Sequence, residues 1–140
     1  MIFIYNTLYQ NIMLDIILWS ISAKTLDEGV KNLIEGSKLD YAKWTEKGRA
    51  EGSSYYDETL ANFEKNCSVQ PGQNYIKVIR ENAVHAFVIK KLTDKTKAMG
   101  FKVGDILKPA GWRAPALNKA RGNVLEGNFY INWTGPLYLS

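Results

Sequence analysis

Reactive side chains are scarce in this sequence. Its 140 residues include one cysteine, Cys67, and one histidine, His85. A lone cysteine excludes an intrachain disulfide and fits a reducing compartment. One cysteine and one histidine cannot supply the ligands of a structural zinc site. Long apolar runs are missing too. The stretch from Met1 to Ile21 is rich in Ile, Leu, Tyr and Phe, but Asn6, Gln10, Asn11 and Asp15 interrupt it. It therefore falls short of the ~20 nearly unbroken apolar residues of a membrane helix. It also lacks the basic start and small-residue cleavage site of a signal peptide. A buried helix or strand is expected there. In a second reading, translation starts at Met13 and residues 1–12 lie outside the fold. Internal repeats, low-complexity tracts and linkers are absent.

The sequence also lacks the patterns that carry common chemistries. It has no Gly-x-x-x-x-Gly-Lys-Ser/Thr and no Gly-x-Gly-x-x-Gly to cradle phosphates. Paired carboxylates occur only as Asp27-Glu28 and Asp57-Glu58, where helix starts explain them. Nothing in the local sequence sets a nucleophile or carboxylate beside His85, so a structural histidine on a strand is expected. Cys67 follows a helix C-terminus, the wrong end for a stabilised thiolate. We therefore assign no catalytic residue, metal ligand or cofactor, and an enzyme is the least favoured class.

What is present is an ordinary globular composition with a lopsided charge. Hydrophobic residues make up 46% and charged residues 23% of the chain, enough for one domain with a proper core. Residues 1–81 carry 9 Lys/Arg against 11 Asp/Glu, whereas residues 82–140 carry 9 against 3. The C-terminal part is thus the expected partner of a polyanion, with a merely solvated lysine-rich surface as the alternative.

Periodicity predicts an α+β fold, with two or three N-terminal helices packed on a small antiparallel sheet of three to five strands. One domain is expected over 1–140: an apolar segment (1–24), a helical half (25–66) and a β-rich half (75–139). Thr25 and Glu28 form a capping box, Leu26, Val30, Leu33 and Ile34 repeat at helical spacing, and Gly36 reads as the stop. Tyr41 and Trp44 suggest a further turn or short helix ending near Gly48 and Gly52. A second helix is expected from Ser54 to Asn66, capped by Ser53 or Ser54, with Tyr56, Leu60 and Phe63 on one face. Pro71-Gly72 breaks the helical half from the rest. Tyr75–Arg80 and Val84–Lys90 read as a hairpin around Glu81-Asn82-Ala83. The second strand looks central, with Val84, Ala86 and Val88 on one face and His85, Phe87 and Ile89 on the other. Lys90–Lys97 reads as a charged loop, Phe101–Val103 as the start of an extended run that Ile106-Leu107 continues past Gly104-Asp105, and Phe129–Trp133 as the last strand.

The most distinctive stretch runs from Gly104 to Ala116, Gly-Asp-Ile-Leu-Lys-Pro-Ala-Gly-Trp-Arg-Ala-Pro-Ala, and continues to Arg121-Gly122-Asn123. Gly104-Asp105 reads most simply as a turn. Nine cations lie between Lys90 and Arg121 against Asp94 and Asp105, and Trp112 abuts Arg113. Cations that neutralise phosphate beside an aromatic that stacks on bases suit single-stranded nucleic acid or a nucleotide. The candidate ligand-binding residues are Lys108, Trp112, Arg113, Lys119, Arg121 and Asn123. The competing reading makes Trp112 a core plug and Arg121-Gly122-Asn123 a simple turn.

Residues 75–139 resemble a group of small, mostly uncharacterised proteins of tailed bacteriophages. The likeness rests on Val84-His85-Ala86-Phe87-Val88, the Gly104–Ala116 box, Arg121-Gly122-Asn123 and the closing Gly135-Pro136-Leu137-Tyr138-Leu139. It implies a viral accessory protein acting in the host cytoplasm, with virion association as a variant, and it brings no catalytic residues. The function expected is binding of a phosphate-bearing ligand, nucleic acid or nucleotide, through the basic C-terminal face. The alternative is a protein-protein interaction or virion component, or a homo-oligomer, docking through the Trp loop and apolar N-terminus.

Overall fold

A computed structural model describes residues 17–46 and 54–136. The expectations for residues 1–16, Gly48, Gly52, Ser53 and residues 137–139, and for the side chains of Trp44 and Tyr56, lie outside the described residues. Among the described residues the fold is α+β, with three helices and two antiparallel sheets. One sheet orders its strands β2 (Cys67–Pro71), β3 (Tyr75–Arg80), β4 (Ala83–Ile89) and β5 (Ile106–Leu107). The other sets β6 (Phe129–Asn132) between β1 (Ile17–Trp19) and β7 (Gly135–Pro136). A single sheet was expected. The second one forms because the end of the apolar N-terminal segment pairs with the last strands, Ile17 opposite Ile131 and Trp19 opposite Phe129.

Helix α1 (Leu26–Glu46) starts where the capping signal places it. The Thr25 hydroxyl accepts from the Glu28 amide at 3.1 Å, and the Glu28 carboxylate reaches back to the Lys24 amide at 3.4 Å. The helix does not stop at Gly36. It runs on to Glu46, taking in the short helix expected around Tyr41 and Trp44. Glycine serves close approach here: a Cβ on Gly36 would lie 2.8 Å from Ile131 Cγ2. The bare backbone lets α1 settle on β1 and β6, which outweighs the ~1 kcal/mol that glycine costs in a helix. Helix α2 (Ser54–Lys65) follows expectation and buries Phe63. The exposed Lys38–Glu64 ion pair between α1 and α2, at 3.0 Å, contributes at most ~1 kcal/mol.

The β3–β4 hairpin is as expected, with Glu81 at φ 58° in its turn. Strand β4 is central and apolar on both faces. Its facing pattern differs in one respect. Val78 pairs with Ala86 and Ile79 with Val84, so His85 sits in a bulge. The bulge turns His85 toward α1 rather than toward Phe87 and Ile89, and Val84 packs instead with the Phe87 cluster. Two elements were not anticipated. Strand β2 occupies the stretch next to the Pro71 break as a largely exposed edge, where proline is tolerated at the strand end. Helix α3 (Asp94–Ala98) lies in the charged loop, capped by Thr93 and Thr96. Phe101–Val103 is irregular rather than extended, leading into Gly104 at φ 94°.

The core has two layers. Val30 and Leu33 of α1, Val78, Ala86 and Val88 of the larger sheet, and Phe129 and Ile131 of the smaller one form the main cluster. Phe87, Ile89, Phe101 and Leu107 form a second cluster on the other face of the larger sheet. Each fully buried side chain of this kind contributes about 1.5–3 kcal/mol. The face away from α1 carries the Trp112 loop. Among the described residues, no helix is long and apolar enough to cross a membrane.

Candidate functional site: a tryptophan loop beside a cationic cavity

The Gly104–Ala116 box folds into a braced loop. The Lys108 carbonyl accepts from the Ala116 amide at 2.8 Å, and Pro109 and Pro115 face each other across an antiparallel bridge. Beyond that bridge the Ala110 and Gly111 amides both donate to the Ala114 carbonyl. The prolines fix φ on either side of the stem, so the tip, Trp112-Arg113, is held outward. Trp112 is 50% exposed, which excludes the core-plug reading, and Arg113 is exposed beside it.

Strand β3 supplies what the sequence reading missed. Ile76 and Val78 face the main core, so the alternating Tyr75 and Lys77 face the Trp112 side. Lys77 stands between Gln70 and Phe87 on the neighbouring strands, and its Nζ lies 4.5 Å from the Trp112 ring centroid. That alternation was readable in Tyr75-Ile76-Lys77-Val78. Its convergence with Trp112, some 35 positions later, was not.

Two cavities meet at this tip. One, of about 350 Å³, is lined by the turn from Gln70 to Asn74, by Tyr75, Lys77 and Phe87, and by Arg113. It holds two cations, three side-chain amides and no carboxylate. Lys90 adds a third cation at its edge, donating from Nζ to the Gly72 carbonyl at 3.2 Å. The other, of about 290 Å³, is an apolar slot between Ala83-Val84 and the Pro109–Trp112 arm.

The remaining candidates are placed elsewhere. Lys108 donates to the Pro136 carbonyl, and burial, then the nearby Arg121 charge, lower its pKa. Arg121 folds into its own loop, with Nη1 donating to Asn118 Oδ1 and the Lys119 carbonyl, both at 2.7 Å, and burial lowers its pKa. Lys119 is exposed. Asn123 is buried and occupied by the frame: its Nδ2 donates to the Val103 carbonyl and Asp105 Oδ1, and its Oδ1 accepts from the Leu125 and Glu126 amides. Asp105 completes the tie by accepting from the Lys102 amide at 2.8 Å. Asn123→Ala is expected to lower stability by about 2 kcal/mol, because it strips partners from buried polar groups. Urea denaturation checks this.

His85 touches Ser37, with Nε2 2.8 Å from Oγ, and Asp40 lies one turn further along α1. This resembles a catalytic grouping only in its residue types. Ser37 is 1% and His85 6% exposed. Ser37 donates its one proton to the Leu33 carbonyl, so it receives Nε2–H from a neutral imidazole. Burial, then Arg80 and then Lys108, push that imidazole down to about 4. It is a core pair, as expected of a structural histidine. Among the described residues no group of three or more His, Cys, Asp or Glu could hold a metal ion.

No family model, curated protein or solved structure matches the chain.

Proposed function

We propose that this protein binds a phosphate-bearing ligand, a nucleotide or single-stranded nucleic acid, at the Trp112 tip. The observation that carries the reading is a half-exposed tryptophan on a proline-braced loop, beside a cavity that contains Lys77 and Arg113 and no acid. The base stacks in the slot along Trp112, and the phosphates meet Lys77 and Arg113, with Lys90 at the edge. Base–aromatic stacking supplies about 1–3 kcal/mol, and each phosphate contact adds a salt-dependent term. Lys108, Lys119 and Arg121 extend the positive field toward the C-terminal half, and Asn123 holds the frame. The resemblance of residues 75–139 to phage proteins supports a setting in the infected host's cytoplasm.

The apolar slot also supports a second reading, in which Trp112 docks on a partner protein. Salt separates the two. Titration with ATP and with oligothymidylate is expected to quench tryptophan fluorescence in the wild type, weakly or not at all in Trp112→Phe, and less as ionic strength rises. Quenching that ignores salt, or that persists in Trp112→Phe, would reject the phosphate reading.

A further inference from the structure

A second site lies on the other face of the larger sheet, around Arg80 of β3. Its guanidinium carbon sits 4.5 Å from the Phe63 ring centroid, 5.3 Å from that of Trp133 and 5.6 Å from that of Tyr41. Three rings from α1, α2 and the end of β6 thus fix the plane of the guanidinium. Its side chain is only 19% exposed, yet its hydrogen-bonding capacity is unused among the described residues. Nε is buried without a partner, and the closest carboxylate oxygen, Glu81 Oε1, is 3.9 Å from Nη2, beyond hydrogen-bond range. A desolvated Nε–H left unmade is costly and calls for an explanation.

The cavity above it supplies one. It holds about 260 Å³ with Arg80, Phe63 and Tyr41 as its floor. Glu58 and Asn62 of α2 and Asn66 just past its end follow at four-residue spacing along one edge, and Glu81 closes the rim from the β3–β4 turn. The side chains of Glu58, Asn62 and Asn66 are exposed and bond to nothing among the described residues. The Glu81 amide donates to the Asn66 carbonyl at 2.8 Å, which fastens rim to helix. Glu81 also holds a positive φ of 58°, a conformation uncommon for a residue with a side chain.

We infer that this cavity binds a small zwitterion of the α-amino-acid class. The carboxylate takes the in-plane N–H groups of Arg80, the ammonium sits between Glu58 and Glu81, and Asn62 and Asn66 bond to the remaining polar atoms. A plain carboxylate would suit the floor but meet two rim carboxylates. A plain amine would suit the rim but leave the guanidinium unpaired. One molecule with both charges satisfies both at a spacing of a few bonds. The site is separate from the Trp112 groove and does not depend on it.

The test is a titration of ¹⁵N-labelled protein with the common L-α-amino acids, each at millimolar concentration, with propionate and ethylamine as single-charge controls. At least one amino acid is expected to shift the Arg80 Nε–H and the Asn62 and Asn66 side-chain amides, and to bind about tenfold or more tighter than either control. Glu58→Gln combined with Glu81→Gln, surface changes that keep the fold by circular dichroism, is expected to weaken it about tenfold. Lys77→Ala with Arg113→Ala is expected to leave it unchanged. Absence of shifts with every amino acid, propionate binding as tightly as the best of them, or unaltered affinity in the Glu58/Glu81 variant would overturn the inference.

Discussion

Lowering the pH from 7 to 4 is expected to remove about 3 kcal/mol of folding stability through His85 alone. The imidazole is 6% exposed, donates to Ser37 and faces the charges of Arg80 and Lys108. Burial, then Arg80, then Lys108, depress its pKa from 6.5 to about 4. Below pH 6.5 the unfolded chain therefore binds a proton that the folded protein refuses. Stability is present in full above that value, falls as the pH drops toward 4, and loses no more from this residue below it. Two to three units at about 1.4 kcal/mol each give the figure. Urea denaturation across this range checks it against His85→Gln. The variant is less stable at pH 7, but its curve is flatter between pH 6.5 and 4. Carboxylate titrations occur in both proteins and cancel in the difference. Parallel curves would mean that the histidine is not held neutral.

The second large effect concerns the groove. Lys77→Ala with Arg113→Ala is expected to weaken binding of oligothymidylate or ATP by at least about 100-fold at low salt, since charge-assisted hydrogen bonds are worth about 1.5–3 kcal/mol each. For the oligonucleotide, the dependence of log affinity on log salt should lose about 1.4 from its slope, two contacts at about 0.7 each on a single strand. Lys95→Ala with Lys97→Ala removes the same formal charge from the exposed face of α3, away from the cavity lining. It is expected to change affinity less than about threefold, because exposed charges at a distance are screened. Equal losses in both double variants would point to a diffuse field rather than a site. The tightness of the Trp112–Lys77 contact makes the first variant the more informative one.

Those residues show where sequence reasoning reaches and where it stops. The hairpin was legible because Tyr75–Arg80 is rich in β-branched and aromatic residues and is bounded by turn signals. The start of α1 was legible because Thr25 and Glu28 carry a local mechanism. Gly36 was misread because a glycine that ends a helix and one that admits a neighbouring strand look alike; only Ile131, far along the chain, tells them apart. Strand β2 was missed because Cys67-Ser68-Val69-Gln70-Pro71 lies on an exposed edge, where burial imposes no alternation. The face of His85 was missed because one bulge reverses every assignment on its N-terminal side.

The candidate site divides in the same way. Trp112 and Arg113 share a loop tip, a local feature marked by Pro109 and Pro115. Lys77 joins them only through strand pairing and the return of the box across the sheet, which no spacing rule encodes. Lys108 and Arg121 looked equivalent to Arg113 in the sequence. In the fold Lys108 takes the side of Ile106 and reaches Pro136, while Arg121 bonds to its own loop. Asn123 looked like a ligand for an anion, yet the turns around Gly104 and Leu125 already use its amide.

The most direct test of the groove is a ¹⁵N–¹H NMR titration with ATP and with oligothymidylate, followed at the indole N–H signals of the chain's four tryptophans. Trp112→Phe assigns one signal by its disappearance. The Trp112 indole and the Arg113 Nε–H are expected to shift with at least one of the two ligands, while the indoles of Trp19 and Trp133, packed within the fold, hold still. Shifts confined to other tryptophans, or no shift with either ligand, would contradict binding at the groove.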